Sequence, residues 1–261
     1  MGDFKISGAG SFEDQQLGRV SIKGSGDGNA DNVRISGKGS FEGGEFGGVS
    51  INGSGRCDKA QRDIRINGTG RFEGGRFGKI SVNGTAHCDG DLDAEKLVVS
   101  GTFRCGGGIC ARAARVNGTL HCGADAAVKK LHVNGTFVSK GGIKLEADEI
   151  ECSGTIRIDG QISADSLLVK GSVFAQEIVG DRVVIRRRPE IFARLFSWSN
   201  SKVGLIEATT VELSAVNAQT VNGQDVAIGP GCHIDALDCS GILSIHPSST
   251  VVHLTGNYTL R

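Results

Sequence analysis

Residues 80–122 read ISVNGTAHCDGDLDAEKLVVSGTFRCGGGICARAARVNGTLHC, and one nine-residue phrase stands in them three times: ISVNGTAHC at 80–88, LVVSGTFRC at 97–105 and ARVNGTLHC at 114–122. Each copy starts 17 residues after the one before. Apolar and polar residues alternate up to the glycine and again beyond it, which is the period of a half-buried strand. Working outward, the same glycine recurs at Gly8, Gly24, Gly37, Gly53, Gly68, Gly84, Gly101, Gly118, Gly135, Gly154 and Gly171. These ten steps cover 163 residues, just over 16 each. That is too short for a helix-turn-helix repeat of about 33 residues or more. The pattern predicts an all-β, single-stranded β-helix of about 16–17 residues per coil.

Columns of like residues support this. Four before the glycine stand residues such as Phe4, Val20, Val49, Ile80 and Leu97; two before it stand Ile6, Ile22, Ile51, Val82 and Val99. Asn-Gly pairs at 67–68, 83–84 and 117–118 suit a bend, since both residues tolerate positive φ. Beyond the glycine, large faces small: Phe12, Phe41 and Phe72 go with Gly10, Gly39 and Gly70, while Phe103 and Phe137 go with Cys105 and Ser139. Such volume compensation is what a narrow, close-packed interior requires.

Composition narrows the function classes. The 261 residues hold 29 basic and 29 acidic side chains, so a whole-chain nucleic-acid binder is disfavoured. With 41 Gly but 3 Pro and no three-residue period, collagen is excluded, and 38% hydrophobic residues suffice for a core. No run of 18 apolar residues occurs, and MGDFKISG does not resemble a signal peptide, so a soluble, cytoplasmic protein is expected.

Little catalytic chemistry stands out. Cys57, Cys88, Cys105 and Cys122 share one column and read as small core residues; no zinc-like spacing occurs, and no metal or other cofactor is expected. His87 and His121 read as surface residues two coils apart, with no partner carboxylate. GSGDG at 24–28 lacks the Lys and Ser/Thr of a phosphate loop. Glu13, Glu42 and Glu73 recur on alternate coils, roughly 9–10 Å apart by strand spacing, which is a solvated face rather than a catalytic pair.

One stretch breaks the repeat. RRRPEIFARLFSWSN at 186–200 carries Arg186, Arg187, Arg188, Phe192, Leu195, Phe196 and Trp198, a mixture that suits contact with an anionic membrane; the other reading packs its apolar face on the rod. The expected organisation is a β-helix over 1–185, this excursion at 186–200, and C-terminal coils continuing the rod over 201–261. Val226–Ile234, reading VAIGPGCHI, matches a single hexapeptide-type turn, which leaves His233 as a weak candidate base.

KISGAGSF, VRISGKGSF, LVVSGTFRC, ADSLLVKGSVFAQEIVG, GDRVVI and VAIGPGCHIDALDCSG together resemble the bactofilins, polymer-forming bacterial cytoskeletal proteins, and most closely their longer variants. The resemblance implies a right-handed β-helix that polymerises end to end without nucleotide. It also implies a scaffold for cell shape or envelope processes, with partners in further copies, the inner membrane surface and envelope proteins, and not in nucleic acid. The Pro-rich tails common in the family are missing from these residues, which moves attention for membrane contact to 186–200.

Self-association also has a physical motive, because a solenoid end exposes backbone groups and a slice of core. Phe4 and Ile6 at one end and Leu254, Tyr258 and Leu260 at the other are the expected polymer interface. The expectation is therefore a structural protein and not an enzyme. The alternative is a β-helix enzyme, such as a hexapeptide-type acyltransferase or a polysaccharide-active protein.

Overall fold

The computed structural model describes residues 3–6, 9–11, 19–22, 25–27, 32–41, 46–57, 60–186 and 200–261. The described strands pair in parallel, each coil in register with the next, so the fold is an all-β solenoid. The chain divides into two compact units, Met1–Ala127 and Val128–Arg261.

In the first unit the strand Leu92–Val99 shows how a coil is built. Leu92, Ala94, Leu97 and Val99 are buried, while Glu95 and Lys96 in the middle are both exposed. Two outward residues in succession shift the alternation by one, which is possible only where the chain bends. Together with Thr102–Cys105, each coil thus has three straight runs around its core. Two were legible from the glycine-centred pattern. The third carries Phe77, Ala94 and Ala111 in register, and the sequence columns did not reach it.

The predicted columns themselves are present. Val33, Val49, Ile64, Ile80, Leu97 and Ala114 lie opposite one another on successive coils. So do Ala86, Phe103 and Leu120, with Cys88, Cys105 and Cys122 beside them.

Two expectations need correction. The corner glycines do not owe their place to positive φ; the described glycines with that geometry are Gly75, Gly141, Gly142, Gly231 and Gly256. The reason is close approach. A Cβ at Gly68, Gly84, Gly101 or Gly118 would stand 1.9–2.0 Å from the carbonyl oxygen of the corner glycine one coil earlier. That carbonyl is directed along the stack, where Gly68 O accepts from Thr85 N at 2.9 Å and Gly84 O from Thr102 N at 2.9 Å. Any side chain there would displace the inter-coil hydrogen bond. Outside this corner, Asn83 Nδ2 donates to Asn67 Oδ1 (2.8 Å) and Asn67 Nδ2 to Asn52 Oδ1 (2.7 Å), a ladder that fixes the bend.

The second correction concerns Gly70. Its space is taken by Ile66 and Ile51, whose Cδ1 atoms lie 2.7 and 3.2 Å from where a Cβ would be, and not by Phe72. Phe72 instead packs edge-on against Phe77 (centroids 5.6 Å, 80°) and stacks with Phe103 two coils on (5.9 Å, 14°). Ala86 and Cys88 lie in the coil between, and their small side chains leave room for the rings to meet.

In the second unit the columns run through Ile150, Leu167, Val183, Val211, Val226 and Leu243. The strand Ser172–Ile185 pairs directly with Ser201–Leu213, from Phe174↔Lys202 to Ile185↔Leu213, so the coil resumes in register on the far side of the insertion. Four coils follow, built on Ser201–Leu213, Val216–Ile228, His233–Cys239 and Thr250–Thr255. The 19-residue step from Gly135 to Gly154 is absorbed at one corner. Ser139 pairs with Ile158 and Ile143 with Gly160, so three residues, Lys140–Gly142, stand against Asp159 alone. Gly141 and Gly142 make that wider turn with φ of +94° and +72°.

Candidate self-association site

A residue in a core column is buried only if a coil lies on each side of it. Ile206, Val221 and Leu237 stack in register, and Leu254 is next in that column. Leu237 is 1% exposed and Leu254 is 37% exposed. The column Val211, Val226, Leu243 ends on Leu260 in the same way, with exposure rising from 0% at Leu243 to 69% at Leu260. The chemistry of the columns has not changed; among the described residues nothing lies over the last coil. Val251, opposite buried Ile234, is half-buried on the last coil, as is Tyr258, whereas the exposed Ile242 and Val252 alternate with Leu243 and Val251 and belong to the outward face. The strand Thr250–Thr255 pairs with His233–Cys239, and among the described residues no further strand borders it. Unpaired backbone groups and a slice of core therefore coincide, which is the combination that templates another chain.

Leu254, Tyr258 and Leu260, expected from the sequence as one side of a polymer interface, all lie on the last coil, Leu254 and Leu260 exposed and Tyr258 half-buried. Val251, which ends the column of buried Ile234, was missed there. Phe4 and Ile6 lie in the other unit, on the strand Asp3–Ile6, opposite Val20 and Ile22 of Arg19–Ile22. That first strand has no second neighbour among the described residues.

Of the basic and aromatic excursion, Arg187, Arg188, Phe192, Leu195, Phe196 and Trp198 lie outside the described residues. Arg186 is described. Its amide donates to Val169 O (2.8 Å), and its guanidinium shares Glu212 with Arg182, which reaches that carboxylate at 2.9 Å. The Arg186 hydrogen bond holds the Glu212 carboxyl below the ordinary carboxylate range.

The histidines are ordinary surface groups with one amendment. His87 does have a carboxylate partner, Asp89 at 3.0 Å, but that carboxylate already accepts from Arg71 at 2.8 Å. The Arg71 hydrogen bond pulls the Asp89 carboxyl down. His233 is exposed and 3.4 Å from Asp235. Both line a groove of about 930 Å³ on the second unit, where Arg157 lies 4.3 Å over the Phe174 ring and Gln176 donates to Asp159 (3.0 Å). That groove is where an enzymatic role for His233 would have to reside.

The cysteine column is packing. Cys88, Cys105 and Cys122 are buried and free of disulfides, and Cys122 Sγ donates to Ala124 O at 3.0 Å. Burial pushes the Cys122 thiol up to about 11 and the Cys152 thiol up to about 12. The thiol of Cys105, hydrogen-bonded to Cys88, is raised, while that of Cys88 is lowered by the same bond. Among the described residues no three His, Cys, Asp or Glu side chains gather as a metal site, and no helix is long and apolar enough to cross a membrane.

Comparison with known proteins adds a relative and no family. The chain is similar to "Uncharacterized protein YhbE" of Bacillus subtilis (strain 168), 35% identical over 101 residues. The match covers 36% of this chain and 42% of that protein. No family model and no solved structure matches.

Proposed function

We propose that this protein is a structural scaffold of the bactofilin kind, which polymerises end to end without nucleotide and organises partners at the cell envelope. The observation that carries this reading is the exposed core slice at Leu254 and Leu260, in register with buried Leu237 and Leu243. A second coil of the same geometry, brought by another copy, would complete both columns and pair the bare strand edge in one step. The resemblance in KISGAGSF, VRISGKGSF and VAIGPGCHIDALDCSG supports the same reading.

Negative-stain electron microscopy of the purified chain, without nucleotide or metal, should reveal filaments. Leu254→Asp with Leu260→Asp should abolish them and leave a folded, discrete particle, because a carboxylate would have to be buried unpaired in the new core. Filaments that persist in the double variant would refute the interface. The enzymatic alternative rests on the groove holding His233 and Asp235, and would gain only if discrete particles of the unaltered chain turned over an acyl donor or a polysaccharide.

A further inference from the structure

Charge is segregated in the first unit in a way that its balanced total conceals. Around the corner glycines of six successive coils lie the segments 34–40, 50–56, 65–71, 81–87, 98–104 and 115–121. They contain Arg34, Lys38, Arg56, Arg65, Arg71, Arg104 and Arg115, together with His87 and His121, and no Asp or Glu. Every acidic residue between 34 and 121 falls outside them, many on the stretch Asp89–Glu95.

Register turns this into a surface. Arg34, Ser50, Arg65, Ser81, Val98 and Arg115 form one column three residues before the glycine. Arg56, Arg71, His87, Arg104 and His121 form another three residues after it. The Asn ladder runs between them. All seven Lys and Arg side chains are exposed, and Arg71 and His87 reach Asp89 at the margin. The six coils extend the two columns over roughly 24 Å by strand spacing.

We infer that this basic ridge docks on an anionic lipid surface. Coils in register hold the cations in straight lines, so a planar array of phosphates meets them together, and the exposed guanidinium groups of Arg65, Arg104 and Arg115, flanked by small Asn, Ser and Thr side chains, can fork onto headgroup oxygens. Nucleic acid is the poorer fit, since the single aromatic of these segments, Phe103, is wholly buried and gives no platform for base stacking. The ridge is independent of the end contacts, and assembly would only multiply it.

The test is flotation of the full chain with phosphatidylcholine vesicles, with and without phosphatidylglycerol. Binding should require the anionic lipid and fall with salt. Arg65→Glu, Arg104→Glu and Arg115→Glu together should lower partitioning about a hundredfold, at roughly fivefold per lost cation, with the thermal melt unchanged. Lys79→Glu with Lys96→Glu, outside the ridge, should lower it far less. Undiminished binding in the triple variant, equal loss in the control, tighter binding to a single-stranded oligonucleotide than to vesicles, or loss confined to replacement of Arg187 and Arg188 would each overturn the assignment. The Leu254→Asp, Leu260→Asp variant should still bind as discrete particles, so failure of assembly and failure of the ridge are told apart.

Discussion

At the scale of single residues, the corner glycine is the most constrained position in the chain. A Cβ at Gly101 would meet Gly84 O at 1.9 Å, whereas one at Gly90 would meet nothing nearer than Gly74 N at 3.4 Å. Gly101→Ala should therefore destabilise by about 3 kcal/mol or more, because backbone and not a flexible side chain must yield. Gly90→Ala should stay within about 0.5 kcal/mol; chemical denaturation of the two variants makes the comparison. The buried thiols give a pH dependence. Cys152 has a folded pKa pushed up to about 12, above the ordinary thiol value, so the unfolded chain ionises first. Stability from this group is complete below the unfolded pKa and declines as pH rises toward the folded one, costing about 1.5–2 kcal/mol by about pH 10. The alkaline fall in melting temperature should be shallower in Cys152→Ala than in the unaltered protein.

At the scale of elements, strands cooperate through columns that cross coils. Phe72 and Phe103 are far apart in sequence, yet their rings stack because the coil between supplies only Ala86 and Cys88. Either Phe→Ala change should cost about 3–5 kcal/mol. In a double-mutant cycle the pair should couple by about 0.5–1.5 kcal/mol, and additivity would argue that the stack does not form. The alternation of two straight runs was legible in the chain because each is centred on a glycine at constant offset. The third run was not, since its inward residues, such as Phe77 and Ala94, precede a bend where Gly78-Lys79 or Glu95-Lys96 break the phase with the glycine-centred run. The pairing of Gly70 with Phe72 was plausible by volume alone, but direction decided otherwise, and Ile66 and Ile51 fill that space.

At the scale of the whole molecule, a formal charge of zero conceals both the basic ridge of the first unit and the apolar end of the second. If the end coil seeks another copy, folded stability is linked to concentration, and the melting temperature should rise with protein concentration in the unaltered chain. It should be flat in the Leu254→Asp, Leu260→Asp variant. A concentration-independent melt in both would count against assembly as the role of that end.

The sequence by itself determined the strand period, the coil length, the inner columns and the coils beyond residue 200, because period-2 alternation and a repeated glycine are local properties that any window of the chain displays. Only the tertiary structure decided why the glycine is needed, which large side chains touch, which of two similar leucines is covered, and how scattered arginines become a ridge. Those depend on what lies one coil above or below, some 16 residues away along the chain, and a contact across that distance is set by the stacking of backbones and not by any neighbour in sequence.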